Sequence, residues 1–275
     1  MANNYWAARM AKAQDAMFRK NRRDIDKRMR KYYQSISQQV IEDFEATYEK
    51  LLNTLEAGKQ PTPADLYKLD KYWKMNKQVE QNLTRLGRKQ IATLTKSFKT
   101  EFWDVYKALK LGDSPMFHTI DENAVDVLLN QIWCTDGKSW SQRIWENTKL
   151  LQQTLNDELL HCVAAGKKPS HLKQLLQERF NVSYGRADAL VRTELAHVQT
   201  VAAQQRYRDY GIEQMEVWVD EDERTCPICS KLEGKIYSIN DKMPVPVHPR
   251  CRCCMIPVVK VPVSQSTQIV SQNTV

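Results

Sequence analysis

The chain has 275 residues, 42% of them hydrophobic and 9% aromatic, which supports folded cores in about two domains and excludes a disordered tail. A formal net charge of +8 and a pI near 9.0 favour acidic partners: nucleic acid, an anionic membrane face or an acidic protein surface. The opening MANNYWAARMAKAQDAMFRKNRRDIDK lacks the apolar core of a signal peptide and no apolar run is long enough to span a bilayer, so the expectation is a chain made and kept in a cytosol with no membrane contact.

From Tyr5 to Leu55 there is neither Gly nor Pro, and Ile25, Met29, Tyr32, Ile36, Val40, Phe44, Tyr48, Leu51 and Leu55 recur at steps of three and four. That spacing predicts one long helix with a continuous apolar stripe. Gly58 ends it; Thr62 as N-cap and Pro63 in the first turn start a second helical segment running through LYKLDKYWKMNKQVEQNLTRLGRKQIATLTKSFKTEFWDVYKALK, which Gly87 is placed to bend. LGDSPMFHTIDE reads as a linker. Asp121 then caps ENAVDVLLNQIW, and Ser139 caps a longer helix that Gly166 ends. Two shorter helices, SHLKQLLQERF and GRADALVRTELAHVQTVAAQQRYRDYG, complete the helical part.

The period changes to two only in QMEVWVD, with Met215, Val217 and Val219 on one face, and again in KIYSI. The expected fold is therefore mainly α: long N-terminal helices and a helical middle, followed by a small C-terminal α+β unit with a metal-clipped extended segment. The expected divisions are a long-helix N-terminal domain (1–112), a helical middle (113–213), a small extended Cys/His unit (214–260) and a polar tail (261–275). No internal repeat and no Gly-rich phosphate loop is present, so nucleotide hydrolysis has no support.

Five of the seven cysteines lie in DERTCPICSKLEGKIYSINDKMPVPVHPRCRCC. In a reducing compartment such clusters are metal ligands or free thiols sooner than disulfides, and the odd total agrees. Cys226 and Cys229 form a CxxC whose short loop can aim two thiolates at one ion, and His248, Cys251 and Cys253 follow. Soft sulfur with imidazole suits zinc, and at least four protein donors allow a closed, structural site. His248 and Cys251 have knuckle spacing; alternatively Cys251 and Cys253 share the inner face of a strand, with Cys254 facing away. A deaminase needs His-x-Glu and a Pro directly before CxxC, whereas here Thr225 precedes Cys226 and Pro249 and Arg250 follow His248. A Cys251–His248 catalytic dyad would be consumed by metal ligation.

Arg192 and Glu194, in a helix otherwise patterned for burial, are expected to form structural ion pairs holding that helix to the extended unit. His197 is read as a core histidine, and Trp133, Trp140, Trp145 and Trp218 as core or interface anchors. Near the N-terminus Arg19, Lys20, Arg22, Arg23, Lys27, Arg28, Arg30 and Lys31 crowd about three and a half helical turns, diluted by Asp15, Asp24 and Asp26. They are either a solvated face or a contact for nucleic acid or an acidic protein.

The order of arginine-threonine-glutamate in a helix, a Trp-containing strand, an aspartate before TCxxC, a Leu-x-Gly and a terminal HPxCRC resembles the phage head-morphogenesis family named for the Mu F-like minor head proteins, over roughly residues 140–257. The NYWAARM opening followed by long helices is similar to minor capsid proteins of tailed phages of Gram-positive bacteria. The resemblance implies a low-copy virion protein, located in the head near the portal. It would bind the portal protein, join the procapsid with major capsid or scaffolding protein as further partners, and in some members bind DNA non-specifically. It also implies that the family's metal cluster falls on Cys226, Cys229, His248, Cys251 and Cys253, and that Arg192 and Glu194 fall on its helical signature. Some members carry toxin or enzyme domains beyond this core; the chain ending soon after CRCC is expected to lack one, and no catalytic residue is assigned. Two rivals stand beside this reading: a zinc-dependent nuclease or hydrolase using Glu194, which an open coordination position would favour, and a stand-alone DNA-binding protein, for which a base-reading helix would be expected.

Overall fold

The computed structural model describes residues 3–111, 120–219, 222–223 and 225–259; most of the expected linker and the polar tail 261–275 lie outside the described residues. The long helix is α1 (Asn3–Thr54). Its buried stripe is Ile25, Met29, Tyr33, Ile36, Val40, Phe44, Tyr48 and Leu51. Tyr33 takes the core position expected of Tyr32: both fit the spacing, and Tyr32 is left half-buried beside Thr93, 3.1 Å from its hydroxyl, with the Lys89 ammonium over its ring.

Thr62 caps α2 (Pro63–Tyr67) in a reciprocal capping box with Asp65. The expected second helical segment breaks after α2, where Leu69 turns extended, and resumes as α3 (Asp70–Ala108). Gly87 lies within α3, which continues unbroken through it; a Cβ there would sit 2.5 Å from the Trp145 ring, so the missing side chain admits that indole. Asp121 caps α4 (Glu122–Asn130), Ser139 caps α5 (Trp140–Ala164) with Gln142 completing its capping box, and Gly166 follows at φ +60°. The two helices expected next are one, α6 (Pro169–Asp209). No Pro interrupts it, and its buried stripe runs straight past Gly185 through Phe180, Ser183, Ala187 and Val191, so packing outweighs the local cost of glycine.

α1, α3, α5 and α6 pack on one another around a continuous apolar core. The strands follow α6: β1 (Gln214–Trp218), β2 (Ile236–Ser238) and β3 (Cys254–Pro257), antiparallel in the order β2-β1-β3. Met215, Val217 and Val219 are buried on one face, as their alternation predicts. β3 packs against both α1 and α6, and the Gln14 amide donates to the Met255 carbonyl at 2.9 Å.

A buried polar layer crosses this junction. Glu101 of α3 is fully buried and accepts hydrogen bonds from the amides of Asn21 on α1 and Gln199 on α6, and the same Gln199 amide donates to the Gln14 carbonyl. The nearest charges are Lys20 and Asp104, which pair with each other at 3.1 Å. Burial therefore dominates and lifts the Glu101 carboxyl from about 4.5 to about 7. A carboxyl raised in the folded state stabilises below its unfolded value, and that contribution disappears as pH climbs through the folded one. Thermal unfolding should show wild-type stability falling as pH rises from about 4.5 to about 7 and levelling off above that. Glu101→Gln, which cannot ionise, should remove that slope; parallel pH profiles for the two proteins would contradict this.

Candidate metal centre

Cys226 sits at the N-cap of a single helical turn, α7 (Pro227–Ser230), and its Sγ accepts from the Cys229 N–H at 3.4 Å. That turn brings both sulfurs of the CxxC to one side. The chain returns at His248, where the Cys251 N–H donates to the His248 carbonyl at 3.1 Å and Arg250 takes a left-handed φ of 64°. Such a conformation costs a residue with a Cβ about 1 kcal/mol or more. Cys253 lies just before β3, not within a strand shared with Cys251, and both are buried; Cys254 begins β3 outside the cluster.

The His248 Nδ1–H faces the Pro249 carbonyl at 2.9 Å, which leaves Nε2 as the free lone pair. Nε2 lies 3.3 Å from the Cys226 sulfur and 3.1 Å from the Cys229 sulfur, and Cys229 Sγ is 3.8 Å from Cys251 Sγ. Around a tetrahedral ion with bonds of about 2.3 Å to sulfur and 2.0–2.1 Å to nitrogen, neighbouring donors lie about 3.6–3.8 Å apart. The sulfur pair meets that spacing and the sulfur–nitrogen pairs are slightly tighter. Two triads with all ligand atoms within 4.8 Å of one another result, Cys226–Cys229–His248 and Cys229–Cys251–Cys253, sharing Cys229; they could hold a metal ion. All seven cysteines are free thiols.

The electrostatics suit a cation. The hydrogen bond from Cys253 pulls the Cys251 thiol down to about 5, whereas donating that proton pushes Cys253 far up. Burial raises Cys229 to about 12, and the backbone N–H of Cys229 lowers Cys226. Only an added positive charge makes several thiolates compatible in so small a space.

The loop is docked on α6 by residues the sequence did not single out. The Arg250 N–H donates to the Thr193 hydroxyl at 3.1 Å, and the Arg250 guanidinium reaches the Gly185 carbonyl and the Asp188 carboxylate at 3.4 and 3.5 Å. Asp188 also pairs with Arg192 at 3.1 Å and with Arg22 of α1 at 3.7 Å. Arg252 grips Asp222 through both terminal nitrogens, at 2.9 and 2.6 Å. The ion pair expected of Arg192 is thus intrahelical, and Asp188 with Arg250 ties α6 to the loop instead. Among the described residues Glu194 makes no link to the extended unit: it is buried and accepts from the Trp133 indole at 2.9 Å, and burial raises its carboxyl. Trp133 stacks on His197 at 4.4 Å, and burial depresses that imidazole to about 4. None of these three belongs to the two thiol triads.

The N-terminal basic residues are not equivalent. Arg19, Lys20, Arg22 and Arg30 are paired with Asp15, Asp104, Asp188 and Asp26. Arg23, Lys27, Arg28 and Lys31 are exposed, and Arg23, Lys27 and Lys31 follow one another at helical spacing on the outer face of α1, with Asp24 beside them. Among the described residues no helix is long and apolar enough to cross a membrane.

Residues 153–256 match the family described as phage Mu protein F like protein, the head-morphogenesis family that the motif order resembles. That match points to a head-morphogenesis or minor capsid role, and to a structural head protein more than an enzyme. A stretch of 141 residues, 45% of this chain, is 26% identical to the NAD(+)--arginine ADP-ribosyltransferase EFV of Enterococcus faecalis (strain ATCC 700802 / V583). The matched stretch covers 29% of that protein's length, and the activity in its name establishes none here. No solved structure matches the chain.

Cys226→Ser and Cys251→Ser should each release bound metal and open the segment 214–259 to hydrogen exchange before the helices, while Cys254→Ser should keep both metal and protection. Metal bound only by the folded state adds its binding free energy to folding, which is the reason for the order of loss. Elemental analysis together with exchange mass spectrometry decides it; full metal content in Cys226→Ser would refute the assignment.

Proposed function

We propose, with the phage Mu protein F like match over residues 153–256 as the premise, that the chain is a minor capsid and head-morphogenesis protein that contacts the portal and takes part in procapsid assembly and in DNA packaging or delivery. Its place is in the virion head beside the portal, among other head proteins. The observation that carries this reading is the docked Cys/His loop: the arginine-threonine-glutamate signature of α6 and the HPxCRC segment meet through Thr193 and Arg250, so the family's two most distant motif pieces form one structural joint.

In this reading the ion is zinc, held by Cys226, Cys229, His248 and Cys251 with Cys253 as the substitute donor. Thiolate and imidazole donors suit zinc, and four protein ligands leave no position for substrate. When bound, the ion supplies positive charge and crosslinks the loop. His248 offers Nε2 because Pro249 holds Nδ1, and Arg250 and Arg252 hold the loop to α6 and to residue 222. Residues 214–260 are the unit that the ion folds. The hydrolase alternative loses its main support, because Glu194 is engaged by Trp133 and stands outside the donor set.

The portal contact falls on the N-terminal half. At the corner between α2 and α3, Trp73 is 58% exposed and Tyr67 43%, and their rings are locked with Tyr72 in edge-on contacts while the Trp73 indole donates to the Tyr67 carbonyl at 2.9 Å. Rigid exposed aromatics of this kind anchor interfaces at small entropic cost. The outer face of α1, with Arg23, Lys27, Arg28 and Lys31, serves non-specific contact with DNA.

A Tyr67→Ala/Trp73→Ala protein should unfold at the wild-type temperature yet co-purify with co-expressed portal protein at least tenfold less. Undiminished co-purification would move the contact elsewhere, and a wild-type chain that is absent from purified particles and never retains portal would end the minor capsid reading.

A further inference from the structure

Four guanidiniums from three separate segments gather where α1, α6 and the Cys/His loop meet: Arg22 and Arg30 from α1, Arg192 from α6, and Arg250 from the loop. Two carboxylates lie among them. Asp188 takes Arg22, Arg192 and Arg250, and Asp26 takes Arg30 at 2.9 Å and the hydroxyl proton of Tyr184, whose ring lies 4.8 Å beneath the Arg30 guanidinium. Four cations against two anions leave an excess of two positive charges. The carboxylates form the floor, with Asp188 14% exposed, while Arg30 and Arg250 are 58% and 50% exposed and keep outward N–H groups.

The position of Arg250 is informative in itself. It occupies a left-handed backbone conformation between two candidate metal ligands, where glycine fits without strain, and its guanidinium reaches Asp188 only at 3.5 Å. These long contacts, to Asp188 and to the Gly185 carbonyl, tie the loop to α6 and still leave the guanidinium half exposed for a further partner.

We propose that this arginine cluster is a phosphate-binding extension of the α1 basic face, so that a nucleic acid backbone running along Arg23, Lys27 and Lys31 continues onto Arg30 and Arg250, and the metal-bound loop is part of the DNA-contacting surface. Planar guanidinium forks match phosphate oxygens bidentately, and carboxylates beneath them hold the forks in place. A row of cations along about 12 Å of rigid helix, joined to a cluster at its flank, follows an extended polyanion and not a single small anion. The inference rests on the DNA contact proposed for α1, and it makes DNA affinity depend on the folded loop.

The experiment measures binding of the full chain to a mixed-sequence duplex by fluorescence anisotropy between roughly 50 and 200 mM salt, with metal content determined on the same samples. Arg250→Gly, which suits the left-handed backbone, should keep its metal yet lower the salt slope by about 0.9, one phosphate contact. Arg30→Gln should do the same, Arg250→Lys should retain most of the slope, and Lys59→Gln, an exposed charge in the loop after α1, should change nothing. Removing the metal by chelation should mimic Arg250→Gly. An unchanged slope in metal-loaded Arg250→Gly overturns the extension while leaving the α1 face intact. Should that variant lose its metal, an unchanged slope in Arg30→Gln overturns it equally. Loss of slope in Lys59→Gln to the same degree reduces the effect to net charge and overturns it too. A wild-type chain that does not bind the duplex overturns both the extension and the α1 contact.

Discussion

Two triads that share Cys229, each with its ligand atoms within 4.8 Å of one another, crowd several sulfurs beside one imidazole, and thiolates that close repel one another unless a cation lies among them. Cys251 is held as the acceptor of the Cys253 proton, His248 presents a bare Nε2, and Cys226 receives a backbone N–H. Each of these arrangements prepares an electron pair for a cation. Thr193, Asp188 and Asp222 also anchor the loop through Arg250 and Arg252, but such hydrogen bonds and partly exposed ion pairs are each worth little.

The loop does not stand apart from the helices. Thr193 and Asp188 lie five residues apart on α6, so one helix receives both the Arg250 backbone and its side chain, and Asp188 passes the connection to Arg22 of α1. Below it, Gln14 holds the Met255 carbonyl, and Gln199 and Asn21 hold the buried Glu101. For the assembly role proposed here, α1 is the element that joins the basic face, the buried layer and the Cys/His end.

Much of this was legible from local chemistry. The caps at Thr62, Asp121 and Ser139, the change of period at Met215, and the CxxC with its returning HPxC depend on residues a few positions apart. The join of the two expected helices into α6 was not legible, because Gly185 reads as a break and only the buried stripe on either side shows that packing carries the helix through. β3 escaped because Met255, Ile256 and Pro257 are all buried, so no alternation marks it. Tyr32 and Tyr33 fit the helix period equally well, and only the neighbouring helices choose between them. Thr193 and Asp188 act on a residue 57 and 62 positions away, a relation that no spacing rule reaches.

X-ray absorption at the zinc edge of the purified full chain addresses the metal clip most directly. The account predicts about one zinc per chain in a closed shell of three sulfurs and one nitrogen, with distances near 2.3 and 2.0 Å and no water oxygen. A chain purified without chelator that carries no metal, or a shell with an oxygen from water in an open position, would contradict it.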